Sequence, residues 1–444
     1  MVNKTKRLCA IALAALMSVS IFAGCGGNGT DTSSSGASSG GDGASSVAPT
    51  ENTDPLGGEG ANGTINLKVW GPDKAQAILK EQCQRFSEEY AQYGDIKIEV
   101  VPQGESDAGT NVLTDATNAA DVFGFACDQL DKLVTAGVLL PVMGADAEEV
   151  TAMNSEASIS ACTIDGTLYA YPETGDNSYC LVYDKRYVTD EDAKTLEGVL
   201  AACKAANKKF VMDAGNGFYS CMFTFTGGLT VDGLEEDGET QKFSEYDEAK
   251  VVSTLKAFST LFNEYKDNFL NGDVSKIVDG FKSGTAAAGF DGSWNFTSAK
   301  EALGENAGFA ILPTINVDGT DTQIVNMYGY KCLGVNGTTA YPNTSIELAK
   351  FLTNEQCQLE RAEQINWGPS NKAVAESDVV KNDPALSAIL AQAQYSIPQV
   401  SLSATFWTPM GTLGSKLVDF DKPLTSDEEY AELIKTTIAN VRDE

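Results

Sequence analysis

The chain has 444 residues, 42% hydrophobic and 21% charged, with a formal net charge of −31 and no histidine. So acidic a surface repels nucleic acid and anionic lipid, which excludes both as partners and points to a neutral or cationic ligand. The missing histidine removes the commonest general base, the Ser-His-Asp and Cys-His nucleophile arrangements and the usual zinc ligand, so no metal site and no cofactor are expected.

The first segment, 1–24, begins with Lys4, Lys6 and Arg7 and continues in an apolar run from Leu8 to Phe22. This is the two-part form of a secretory signal, and the run is shorter than the ~20 residues that span a bilayer. It closes on Phe22-Ala23-Gly24-Cys25, which resembles the bacterial lipobox. That resemblance implies cleavage before Cys25, lipidation of its sulfur and anchoring of an extracytoplasmic protein to the outer face of the cell membrane; the alternative is an ordinary secretory signal with an incidental cysteine. Segment 25–63 is rich in Gly, Ser, Thr, Ala, Asn and Asp and holds few large apolar residues. It reads as a disordered tether with a mean reach on the order of 30–35 Å.

The remainder is too long for one ordinary core and suits two lobes. Alternation at 65–70 predicts a strand, helical spacing at 75–90 a helix, and 96–100 a second strand. A helical piece near Val112, an apolar strand at 121–125 and a helix at 129–136 follow. Strand, helix, strand, helix, strand predicts a parallel sheet, with ligand beyond the carboxyl ends of the strands, near 70–74 and 125–129. The pattern recurs, with a turn and strand at 166–172, strands at 179–183, 210–212 and 286–290, and helices at 195–206 and 249–265, predicting a second α/β lobe. The acidic stretch 232–239 lacks the alternation of a calcium loop and reads as a solvated hairpin turning at Asp237-Gly238. Beyond Cys9 and Cys25 there are eight cysteines, without close metal spacing and mostly in apolar segments, which predicts mainly free buried thiols.

Five stretches in this order, INLKVWGPDK, ADVFGFACDQLDKLVTAGVLLPV, IDGTLYAYPETGDNSYCLVYDKRYV, FDGSWNFTSA with FAILPTINVDG, and IPQVSLSATFW, resemble the extracellular solute-binding proteins of bacterial ABC importers, in particular the maltodextrin-binding branch. The resemblance implies a monomer with an α/β, two-lobed periplasmic-binding-protein-like fold, a hinge and a sugar-holding cleft, working with a membrane-embedded permease. It places lobe one at 64–174 and about 321–370, and lobe two at about 175–320 and 371–444. By position it makes Trp294 and Trp407 stacking platforms, adds an aromatic platform at Phe125 and a lobe-two aromatic at Phe218 or Tyr219, and gives Asp73, Lys74 and Asp128 to sugar hydroxyls. Gln129 stands where the best-known members carry Arg, and either Asp176 or Asn177 occupies the place of a hinge-side carboxylate. The chemistry agrees independently: a pyranose has apolar C–H faces that want aromatic platforms and hydroxyls that want polar partners at the ring edge. Two other readings stay open. A surface glycoside hydrolase would need two facing carboxyls, for which Glu173 with Asp176 or Asp128 are candidates. A similar binding protein for a polyamine or metal is the other.

Overall fold

A computed structural model describes residues 54–443; the signal segment, Cys25 and most of the expected tether lie outside the described residues. The folded body begins earlier than its composition suggested. Leu56 is fully buried, and the Glu59 carboxylate accepts the backbone N–H groups of Asn343 and Thr344, each at 2.9 Å. These are free donors in the first turn of the helix Pro342–Leu352, where a negative charge is favoured. The last part of 25–63 is therefore docked structure, held by one apolar anchor and one carboxylate that a composition count overlooks.

Two sheets organise the body. In the first the order is Ser396–Pro398, Asn326–Val335, Val122–Ala126, Ile65–Gly71, Ile96–Pro102, with Tyr171–Asn177 also pairing on Asn326–Val335. Its nucleus is parallel: Ile65–Gly71 pairs in parallel with both Ile96–Pro102 and Val122–Ala126. The second runs Phe269–Asn271, Lys209–Met212, Ala286–Gly292, Tyr179–Asp184, Ala307–Ala310. Neither sheet is purely parallel as the alternation alone predicts. Asn326–Val335 lies antiparallel to Val122–Ala126, and Tyr179–Asp184 antiparallel to both its neighbours. These exceptions sit where the chain passes from one sheet to the other. A strand arriving from the other lobe has no crossover helix to turn it, so it enters in the opposite sense.

Each sheet has its own core. Phe86, Phe123, Phe125 and Leu348 belong to the first, while Phe210, Phe223, Phe258 and Phe290 belong to the second. The helices that cover the first sheet begin as the spacing predicts: Ile78, Leu79, Cys83 and Phe86 are the buried stripe of Gln76–Glu89. The acidic stretch forms the expected hairpin, Val231–Leu234 paired with Gln241–Phe243, with Asp237 accepting the N–H groups of Glu239 and Thr240. All eight body cysteines are buried and free; the sulfurs of Cys162 and Cys332 stand 3.3 Å apart.

The candidate ligand cleft

Between the carboxyl ends of the two sheets lies a cavity of about 480 Å³, lined on one side by Glu105, Ser106, Ala126, Asp128, Gln129 and Lys331, on the other by Asn216, Phe218, Tyr219, Val274, Trp294 and Trp407, with Asn177 and Gln399 at its hinge end. The local sequence explains the aromatic wall. The side chain of Asn216 accepts the N–H of Phe218 at 3.0 Å and starts the helix Gly217–Gly227, so Phe218 and Tyr219 fall in its first turn. Gly217 is required by packing: a Cβ there would stand 2.3 Å from the carbonyl oxygen of Trp407, the first residue of the helix Trp407–Leu417. Trp294 lies in the turn after Ala286–Gly292. The ring of Phe218 is 5.9 Å from Trp294 and 6.2 Å from Trp407, and Tyr219 is 6.4 Å from Trp294. These tilted and edge-on arrangements make a continuous apolar wall.

The opposite floor is polar because the pleat of Val122–Ala126 sends Phe123 and Phe125 into the core while Ala126 faces the cleft. Phe125 is therefore not a platform, which corrects the expectation for that residue: at 0% exposure it packs against Phe123 with ring centroids 5.6 Å apart. Asp128 follows in a one-turn 3-10 helix and does line the cavity. Burial raises its carboxyl to about 6, with the nearby Lys132 charge and the side chains of Gln399 and Trp407 pulling back. One of its oxygens is buried without a hydrogen-bond partner, as is the Tyr219 hydroxyl. Buried groups of this kind want a partner supplied by ligand or water.

Gln129 lines the cleft, but its side chain is committed to the protein. It accepts the N–H of Gly109 at 2.9 Å and donates to the carbonyl of Glu105 at 2.7 Å, holding the helix Glu105–Thr114 against the cleft. Of the hinge pair, Asn177 reaches the cavity and donates to Gln399 at 2.9 Å. Asp176 is fully buried behind it and accepts the N–H of Gly368 at 2.6 Å, so its carboxylate ties hinge segments together. Asp73 is exposed and stands outside the cavity lining. Lys74 also stands outside it. Its ammonium donates to the carbonyl of Trp294 at 2.5 Å, with Asn295 Oδ1 at 3.2 Å and Ser298 Oγ at 3.4 Å, a clasp from the first sheet's turn onto the second lobe.

Gly104, Glu105, Ser106, Asn216, Val274, Lys331 and Gln399 also line the cavity without having been picked out from the sequence. Two of them carried a readable signal. Glu105 opens the helix just beyond the carboxyl end of Ile96–Pro102, and Lys331 is a lone cation inside the apolar strand Asn326–Val335. Lys331 Nζ lies 3.3 Å from Glu105 and 4.6 Å from the centre of the Trp367 ring. Burial alone would lower its pKa, but Glu105, Asp176 and Glu173 hold it above the ordinary value. Burial lifts Glu173 to about 7, against the opposing charge of Arg361. Glu173 and Asp176 are both buried in lobe one rather than facing each other across the cavity. What the cleft offers is an aromatic wall opposite hydrogen-bonding side chains, suited to a flat-faced, hydroxyl-bearing ligand.

Known proteins fit this geometry. A galactooligosaccharide-binding protein of Bacillus subtilis is 24% identical over 77% of this chain and 82% of its own. A solved structure described as with acarbose shares 30% identity over 86% of this chain and 99% of that one, at a TM-score of 0.75. The maltodextrin-binding protein MalE1 from L. casei BL23, without ligand, shares 26% identity over 85% and 99%, at a TM-score of 0.71. The family described as bacterial extracellular solute-binding protein matches residues 81–388, and with two lobes around a lined cleft the chain belongs to that family.

Proposed function

We propose that this protein is the oligosaccharide-capturing component of an ABC importer, which binds its sugar without chemistry and hands it to a membrane permease. The observation that carries the reading is the facing of four aromatic side chains by a polar floor that includes an unsatisfied Asp128 oxygen. Sugar C–H faces lie on aromatic rings, and sugar hydroxyls donate to a carboxylate at the ring edge. The relative named for galacto-oligosaccharide binding supports an oligosaccharide as the ligand. Titration of the protein with malto- and galacto-oligosaccharides, followed by tryptophan fluorescence and by chromatography of the recovered sugar, tests it. Saturable binding with the sugar recovered intact is expected. Shortened sugar would turn the reading to a hydrolase, and binding only to a polyamine such as spermidine would turn it to a cationic ligand.

We further propose that a lipid on Cys25 anchors the protein to the outer face of the membrane, the reading that the lipobox-like Phe22-Ala23-Gly24-Cys25 supports. The wild type should then fractionate with membranes, and Cys25→Ala should release it or leave the precursor uncut. Wild-type protein free in the culture medium would sink the anchor.

A further inference from the structure

One pair of cysteines is set apart from the others by what its sulfurs touch. Cys127 and Cys221 donate to backbone carbonyls, of Gln399 at 2.9 Å and of Phe218 at 3.1 Å, and Cys357 accepts from Arg85 at 3.2 Å. Cys162 has a sulfur for a partner: its thiol donates to that of Cys332, 3.3 Å away in space and 170 positions along the chain. Both side chains are fully buried in the first core. The backbone holds each in place. Cys162 leads into the short hairpin of Thr163–Ile164 with Thr167–Leu168, and its carbonyl accepts the Tyr169 N–H at 2.9 Å. The chain then enters Tyr171–Asn177, which pairs antiparallel with Asn326–Val335 and sets Pro172 opposite Cys332. From where the two sulfurs stand, a covalent bond between them needs an approach on the order of 1 Å.

We propose that Cys162 and Cys332 become a disulfide as the chain folds outside the cytosol, a staple between the returning strand Asn326–Val335 and the hairpin that precedes Tyr171–Asn177. The proposal goes beyond the sugar reading and holds whichever ligand the cleft takes. Members of an extracellular family fold where disulfides form and persist. The oxidant is itself a disulfide, carried by an exported thiol oxidoreductase or a small molecule. The thiolate of one cysteine attacks it, forming a mixed disulfide and releasing one thiol; the other thiolate then displaces the second. One S–S bond forms as one breaks, two electrons pass to the oxidant, and the protons of Cys162 and Cys332 end on the released thiols. Exchange takes place before the core closes. In the folded protein the Cys162 hydrogen bond and burial hold the Cys332 thiol well above its ordinary value, which leaves little thiolate to react. The loop so closed contains the whole second sheet, from Tyr179–Asp184 to Ala307–Ala310. Lobe one therefore keeps its returning strand, with Lys331 of the cleft floor beside Cys332, even when the second lobe opens or unfolds locally.

The test is peptide mapping of the full chain, exported by a bacterial host, unfolded in the presence of an alkylating reagent and digested without reduction. Cys162 and Cys332 joined to each other in most molecules is the expected result. Both thiols alkylated in most molecules, or either joined to a different cysteine, overturns the proposal. A second measurement asks whether the bond acts as a staple. Wild-type protein refolded in a glutathione redox buffer should melt on the order of 5–10 °C higher than the same protein refolded with dithiothreitol, because a long loop is closed in the unfolded chain. Cys162→Ala should melt alike under both conditions. No difference in the wild type, or an equal difference in Cys162→Ala, overturns the staple. Mapping of the wild type decides the cross-link even where the variant fails to fold.

Discussion

The two faces of the cleft are built by opposite means. The lobe-two face is aromatic: Phe218, Tyr219, Trp294 and Trp407 lie on helix starts and a strand end, with their rings spaced 5.9 to 6.4 Å apart where they meet. The lobe-one face is electrostatic. Behind Asp128 and Gln129 lies a buried group of charges, in which Lys331 sits among Glu105, Glu173 and Asp176 with the Trp367 ring beneath it. An aromatic wall supplies contact area that tolerates small changes in ligand orientation. A floor of fixed charges is directional and is costly to leave unpaired. The difference implies that lobe two contributes mostly affinity to binding and lobe one mostly orientation, and that mutations on the two sides fail in different ways.

The sharpest way to break that contrast is to remove the cation on the electrostatic side. Lys331→Met should destabilise the protein by about 3–5 kcal/mol, because buried carboxylates then lose their partner. Urea unfolding reads this directly; a midpoint unchanged from wild type would mean that the charges behind the floor are well solvated. On the aromatic side the loss should appear in affinity. Trp294→Ala and Trp407→Ala should each weaken oligosaccharide binding by about 1.5–3 kcal/mol, ten- to hundredfold, with a smaller effect on unfolding. Should calorimetry find sugar affinity preserved and the melting temperature lowered, both tryptophans are core residues and the wall has no platform role.

This division was only half legible in the sequence. The aromatic side could be read because Trp294 and Trp407 fall where the resemblance to the solute-binding proteins implies stacking tryptophans. Much of the secondary structure elsewhere was also clear, since Ile65–Gly71, Gln76–Glu89 and Tyr179–Asp184 each fall within a residue or two of the pattern, but the helices Gly217–Gly227 and Trp407–Leu417 that carry most of the wall were not read. The electrostatic side was hidden, since it is assembled from Glu105, Glu173 and Lys331, more than two hundred positions apart at the extremes and joined only by the return of Asn326–Val335 to the first sheet. Phe125 was misplaced for a local reason. In a strand buried on both faces the apolar run is continuous, so periodicity cannot tell which side chain faces the cleft. Lys74 followed a predicted strand as a cleft residue should, but no pattern in one chain says that its ammonium is taken up by a backbone carbonyl of the other lobe.

Acidity separates the two faces further, and with opposite signs for ligand and fold. Asp128 titrates at about 6, so its carboxylate is ionised at pH 7.5 and becomes a neutral acid toward pH 5. A sugar hydroxyl donates more strongly to the ionised form, so affinity should be full above about pH 7 and fall as pH drops through about 6; Asp128→Asn should cost about 1.5 kcal/mol at pH 7.5 and flatten the profile. Stability moves the other way. Burial raises Asp128 to about 6 and Glu173 and Asp291 to about 7, so the folded state takes up protons that the unfolded chain does not hold until about pH 4. The sugar-free protein should therefore melt higher at pH 5.5 than at pH 8. Affinity that is level from pH 8 to 5 would remove Asp128 from the ligand's contacts.

The smallest expected effect lies at the clasp joining the two faces. Lys74 bonds to the carbonyl of Trp294, so the turn that ends lobe one's first strand is fastened to the residue carrying a lobe-two platform. Such a contact exists only while the lobes are closed, and it favours the closed state whether or not sugar is present. Its ammonium is partly desolvated there: burial lowers its pKa and the Asp291 charge opposes the shift. The net value of the clasp is accordingly that of a modest hydrogen bond, and Lys74→Met should shift the lobe equilibrium toward open by about 1 kcal/mol, roughly fivefold. Small-angle scattering of the sugar-free variant should give a larger radius of gyration than wild type. Saturating oligosaccharide should bring the two to the same value, because bridging by the ligand outweighs the lost bond. A variant that stays larger than wild type at saturation would make Lys74 a ligand contact in its own right, and equal radii without sugar would mean that the clasp does not bias closure.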